Sequence, residues 1–190
     1  MSLSFGGGPS SVFGFIAKRI RQDLQFSRIF LVDLAASAAY AATTLLLLSL
    51  AHPGEEGARA LILAAAGWAL FCGLKIALVV YLEKRGGDAR QFVGSETLVM
   101  SGVYAWSRNP VYVMSLAQSL CWSLGLVGLG LGGHPYALLA YVAAPALLYG
   151  HWWGMDHLIV PNEEAALRAK HPEAFAAYCA RVNRWFGPRA

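Results

Sequence analysis

A chain of 190 residues is long enough for one domain, but 57% hydrophobic against 14% charged residues, with a mean hydropathy of +0.48, excludes an ordinary soluble one. The apolar residues are gathered into blocks of about 20, the length of helix that crosses a bilayer, so the chain reads as an integral membrane protein. The formal charge of +4 does not mark a nucleic-acid binder, because the basic residues stand at the ends of the apolar blocks and form no run interleaved with aromatics.

Residues Met1 to Pro9 are Gly-rich, and Gly6-Gly7-Gly8 lacks the Lys-Ser/Thr ending of a phosphate loop, so a tail is expected there. The N-terminus has none of the features of a cleaved secretory signal and is expected to be retained. From Ser10, Val12, Phe13, Ile16, Ile20 and Leu24 recur at helical spacing with Lys18, Arg19, Arg21 and Asp23 largely between them. That pattern predicts an amphipathic helix lying in the headgroup layer.

The first spanning block runs from about Ile29 to Ala51 and holds one acid, Asp33, near its start, where it is expected to reach the interface. The second, about Ala60 to Leu82, holds Lys75, expected to snorkel toward the headgroups. Glu83 to Asn109 is a polar middle with a loop signal at Gly86-Gly87. The third block, Pro110 to about Leu131, is uncharged and opens with proline where a first-turn N–H is dispensable. A tight Gly132-Gly133-His134-Pro135 turn leads to the fourth, Tyr136 to about Met155, predicting an antiparallel helical hairpin. Gly125, Gly128, Gly130 and Gly132 mark close helix packing. Lys and Arg cluster before the first block, between the second and third, and after the fourth, which predicts cytoplasmic termini and a cytoplasmic central loop.

Four spans put two polar segments on one side of the membrane. One is Ser101 to Tyr112, reading Ser-Gly-Val-Tyr-Ala-Trp-Ser-Arg-Asn-Pro-Val-Tyr; the other begins at Asn162-Glu163-Glu164. Taken alone, the second is a helix start, with Asn162 as N-cap, two acids at the positive end of the dipole and Glu164 paired to Arg168 at i+4. Cys72, Cys121 and Cys179 are odd in number and far apart, and the histidines do not cluster, so neither a disulfide framework nor a metal site is expected. His157, beside Trp152-Trp153, is either an interfacial anchor or a polar substrate contact together with Asp156.

Gly102-x-Tyr104, Arg108-Asn109-Pro110-x-Tyr112, Glu163-Glu164-x-x-Leu167, Phe175-x-x-Tyr178 and Arg181-Val182-x-Arg184-Trp185 occur in that order over residues 95 to 188. Together they resemble the isoprenylcysteine carboxyl methyltransferase family and the related phospholipid methyltransferases, which are small integral-membrane enzymes using S-adenosylmethionine. The resemblance implies an all-α membrane fold of about four transmembrane helices. Residues 1–28 would form the tail and interfacial helix, 29–94 the first two spans and a loop, and 95–190 the catalytic region ending in a cytoplasmic helix.

It further implies that Gly102, Val103, Tyr104, Arg108, Asn109, Pro110 and Tyr112, with Glu163 and Glu164, hold S-adenosylmethionine. Arg108, Glu164 and Arg184 would lie at the catalytic centre, and Trp153, His157 and Arg181 would contact a lipophilic or lipidated acceptor drawn from the bilayer. An ammonium needs an anion, a carboxylate needs donors, and an adenine or sulfonium is met by aromatic faces; these residue types supply all three. The chain departs from the family pattern at Val103, Asn109, Met114 and Asn183, and it offers His157, Ile159 and Val160 where prenylcysteine enzymes tend to carry arginines. A phospholipid amine is the alternative acceptor, and an NADPH-dependent sterol-reductase-like enzyme is the alternative of another class.

Overall fold

The structure, a computed structural model, describes residues 32–87 and 97–189; the expected N-terminal tail, the interfacial helix and residues 88–96 lie outside them. Among the described residues every regular element is helical. They are α1 (Val32–Leu50), α2 (Glu55–Lys84), α3 (Pro110–Leu131), α4 (Ala137–Gly154), α5 (Val160–Lys170) and α6 (Pro172–Arg181), with a 3-10 turn at Gly102–Ala105 and a π-helical turn at Met155–Ile159. Three of them, α1, α2 and α3, are long and apolar enough to cross a membrane. Leu45, Ile62, Leu63, Leu70 and Ile76 face outward from them, an apolar exterior suited to lipid rather than water. The 18-residue α4 carries Pro145 within it and ends in His151, Trp152 and Trp153.

The glycines of α3 are where its backbone meets α2. A Cβ on Gly125 would meet the Ala64 Cβ at 2.5 Å, one on Gly128 would overlap Ala60, and one on Gly132 would meet the Gly57 nitrogen at 2.6 Å. Small residues on both helices therefore bring the backbones together, the packing expected where apolar burial gives no advantage over lipid. Gly130 faces Tyr141 of α4 instead. The turn between α3 and α4 carries Gly133 at φ +82°, a conformation open to glycine. His134 of that turn is buried and hydrogen-bonds the Leu47 carbonyl at 3.1 Å, satisfying the last turn of α1.

Two sequence expectations change here. Asp33 and Lys75 do not reach separately for the headgroups: they meet across α1 and α2 at 2.5 Å, each about a quarter exposed or less. Asn162 is not an N-cap, because the helix does not restart there. The chain runs from α4 through the π turn into α5 without a break, and the Asn162 amide donates to the Leu158 carbonyl one turn back at 2.7 Å. The π turn, in which the Val160 N–H reaches back to the Met155 carbonyl, immediately precedes Pro161, whose ring and missing N–H disrupt an ordinary α-helical ladder. One extra residue in a turn rotates the next stretch of helix by roughly 100° about the helix axis.

Candidate functional site at the motif loop

Ser101 to Asn109 folds as a tight loop over the start of α3. Gly102 opens it at φ +64°, and a side chain there would run into the Tyr81 hydroxyl. Ser107 then organises the helix entry: its hydroxyl accepts the Asn109 N–H at 3.1 Å, and Pro110 takes the first helical position. The loop is held from the other side by the C-terminus. After α6 the chain turns back on itself, with Gly187 at φ +78°, an isolated antiparallel bridge between Val182 and Pro188, and the Asn183 N–H on the Gly187 carbonyl at 3.1 Å. That turn sends Arg184 and Trp185 toward the motif loop.

The junction between loop and C-terminus carries a polar network beside the Trp106–Phe186 ring contact. The Arg108 N–H donates to the Asn183 carbonyl at 3.2 Å, and the Asn109 amide donates to the Arg184 carbonyl at 3.0 Å. Tyr178 of α6 donates its hydroxyl to the Tyr104 carbonyl at 2.6 Å. Glu164 sits between two guanidinium groups, accepting Arg108 Nη1 at 3.1 Å and Arg184 through both carboxylate oxygens at 3.2 and 2.8 Å. Asp156, from the π turn, accepts Arg184 at 3.1 Å and the Trp185 indole at 2.9 Å. The local i+4 pairing of Glu164 with Arg168 is thus displaced by two tertiary partners, because a buried carboxylate needs closer compensation than an exposed helix pair provides.

Glu163 is the acid left over. It is 9% exposed and hydrogen-bonds the Tyr112 hydroxyl of α3. Burial, and then the neighbouring Glu164, push its carboxyl from the ordinary 4.5 up to about 7, against the lowering effect of the Tyr112 bond. Arg108 and Arg184 are matched in charge by Glu164 and Asp156, so an ionised Glu163 has no cation of its own among the described side chains of the cluster. Burial, followed by the Glu163 charge, also pushes the Tyr104 phenol upward, keeping it a neutral hydrogen-bonding group.

The buried side-chain atoms that lack a partner point to the same place. Among the described residues they are Thr44 Oγ1, Tyr104 Oη, Arg108 Nε and Glu163 Oε2, and the last three belong to this site. Such groups are rare in folded proteins and costly to leave unmade. The cluster thus leaves an acceptor, a cationic donor and a phenol without partners, the groups that a zwitterionic ligand with a heteroaromatic ring requires. Beside them, between α2, α3 and the 3-10 turn, lies a cavity of about 580 Å³ whose walls are nearly all apolar, including Leu74, Val103, Trp106, Pro110, Val113 and Met114. Arg85 donates to the Ser101 hydroxyl at 2.8 Å, with its guanidinium 5.0 Å over the ring of Tyr81, which lines the cavity.

The expected site residues divide accordingly. Tyr104, Arg108, Asn109, Tyr112, Glu163, Glu164 and Arg184 come together; Gly102 shapes the loop; Val103 and Pro110 face the apolar cavity. Trp153 and His157 stack on each other, with ring centroids 5.1 Å apart, on an exposed face of α4 and the π turn, and the His157 ring pairs with the Trp153 carbonyl at 3.0 Å. Arg181 lies outside the cluster, exposed against the Ala177 carbonyl and Met100. Ser107 and Arg85 are additions to the expected set, while Asp156, weighed with His157 as a polar contact, and Tyr178 of the motif join the cluster itself. The spacing of Asp156 from Glu163, two helical turns, is the signal that could have linked them. Among the described residues no group of three His, Cys, Asp or Glu side chains is disposed to hold a metal. Comparison with protein-family models, with curated proteins and with solved structures gives no match.

Proposed function

We propose that this chain is an integral-membrane methyltransferase that uses S-adenosylmethionine and acts on a lipophilic acceptor, as the prenylcysteine carboxyl methyltransferases do. One observation carries the reading: the unpartnered, buried Tyr104 Oη, Arg108 Nε and Glu163 Oε2 all belong to the motif cluster, whose loop also walls an apolar cavity. The ammonium of the methyl donor fits Glu163, its carboxylate fits the Arg108 side, and the phenols of Tyr104 and Tyr112 fit its polar ring and cationic parts. When bound, that cofactor supplies an electrophilic methyl group on a sulfonium. What the chain adds is alignment of an acceptor with it and exclusion of water. Glu164 holds Arg108 and Arg184 in fixed positions, and the loop and C-terminal turn close over the site through backbone hydrogen bonds.

The acceptor's apolar part fits the cavity lined by Val103 and Trp106, and Arg85, stacked on the Tyr81 ring of its wall, is the cation that would meet an anionic group on it. The topology belonging to this reading is four spans, with α4 as the fourth and with the termini, the motif loop and the C-terminal helices cytoplasmic. It is supported by the placement of Lys and Arg in the sequence.

Purified protein supplied with methyl-labelled S-adenosylmethionine and either a farnesylcysteine analogue or phosphatidylethanolamine tests the reading. Base-labile label in the first identifies a carboxyl ester, and base-stable label in the second identifies an amine. Folded protein that transfers label to neither, and to no lipid of its native membrane, contradicts the reading.

A further inference from the structure

We propose that the interior of the helix bundle holds a second site, for an uncharged aromatic head group bearing carbonyl or hydroxyl oxygens on an apolar chain. This inference is independent of the methyl-transfer reading. It rests on a cluster of polar residues contributed by all four long helices, with the ionisable ones on three of them. Asp33 of α1 accepts Lys75 of α2 at 2.5 Å, His151 Nε2 of α4 at 3.1 Å and the Ser115 hydroxyl of α3 at 3.4 Å. With Nε2 donating to Asp33, His151 Nδ1 accepts the Ser119 hydroxyl, also on α3, at 2.5 Å. Asp33 and Lys75 match in charge, and the His151 imidazole joins them through hydrogen bonds.

A charge pair between membrane-spanning helices is costly, and ionisable residues are retained there chiefly where they serve a site. Structural cement would be packed shut, whereas this pair is not. Asp33, Lys75, Ser119 and His151 line a cavity of about 400 Å³, within the range of small-ligand pockets. Its other walls include Tyr40, Trp68 and Trp122, and Leu34 and Ile76 at its edge are exposed on the apolar exterior.

The chemistry of the wall selects the occupant. Lys75 is already neutralised by Asp33, so an anionic head such as a phosphate would carry an uncompensated charge into the bilayer. An uncharged head can accept from Lys75 or a serine hydroxyl and donate to Asp33 while its ring lies against the tryptophans. Its chain can leave between Leu34 and Ile76. Quinones and lipid phenols have this form.

The probe is a decyl-substituted benzoquinone, read by quenching of tryptophan fluorescence in nanodisc-embedded protein. We expect saturable quenching whose midpoint rises about tenfold or more when Ser37→Phe, at a position lining the cavity, fills it and leaves the ion cluster intact. The paired change Asp33→Asn with Lys75→Met, which keeps size and neutrality, should weaken binding similarly. Adenosylmethionine binding should be the same in all of these variants. Quenching that rises linearly with quinone in the lipid and is equal in wild type and Ser37→Phe is partition only, and overturns the proposal.

Discussion

Glu163 carries a charge its surroundings do not welcome, and its titration is therefore readable. An acid whose folded-state pKa lies above its unfolded value binds its proton more tightly when folded. Stability is then greatest at low pH and falls as pH rises from about 4.5 through about 7, the ordinary and the folded values. The contribution is on the order of 3 kcal/mol. Ligand-free Glu163→Gln should be more stable than wild type at pH 8 and nearly equal to it at pH 5, as measured by thermal unfolding in detergent. Binding of a cationic amine should strengthen as pH rises through 7 in wild type and lose that dependence in Glu163→Gln.

Glu164 behaves oppositely, since its loss leaves the buried Arg108 unpaired. Glu164→Ala should cost about 3–5 kcal/mol, with the Arg184 arm, a third open to solvent, contributing the smaller part. The residue types of the site could be read from the motifs, but the partners of each could not. Local i+4 logic assigned Arg168 to Glu164, and nothing in helical periodicity distinguishes Arg181 from Arg184. Only the turn closed by Gly187 leaves the first outside and brings the second in.

At the scale of elements, two devices set the geometry. The first is the run of small residues that lets α3 lie against α2. Gly128→Val should overpack that contact and cost about 1–3 kcal/mol, whereas Gly150→Val, where a Cβ meets nothing within 4 Å, should cost much less; unfolding of both variants in one detergent separates them. This device was legible, because glycines at helical spacing in an apolar run have few other uses.

The second device is the π turn ahead of Pro161, which the sequence presents as a helix end followed by a new helix start. Asn162, proline and paired acids all favour that reading locally. Continuity of the helix is decided instead by Asp156, Glu163 and Glu164 finding partners on other elements. Pro161→Ala, which restores a backbone donor, should relax the wide turn toward regular α-helix. If the turn positions the acids, that variant should remain folded and bind adenosylmethionine at least about tenfold more weakly.

The whole molecule places two polar sites along one face of α3. Tyr112 joins the motif site through Glu163, while Ser115 and Ser119, one and two turns further in, join the Asp33–His151 cluster. The membrane character and the helical hairpin follow from composition and block length. The interior cluster was hidden because Asp33, Lys75 and His151 each have an ordinary explanation near a helix end and are far apart in sequence. Their meeting is a property of packing, as is the apolar cavity beside the motif loop.

The central claim is that the motif loop and the C-terminal helices form an S-adenosylmethionine site. Isothermal titration of the detergent-purified protein with S-adenosylmethionine and with its demethylated product tests it most directly. The account predicts saturable binding of both, stronger at pH 8 than at pH 6, and weaker without that pH dependence in Glu163→Gln while that protein stays folded. No heat of binding at millimolar ligand, or binding of NADPH in its place, would contradict it.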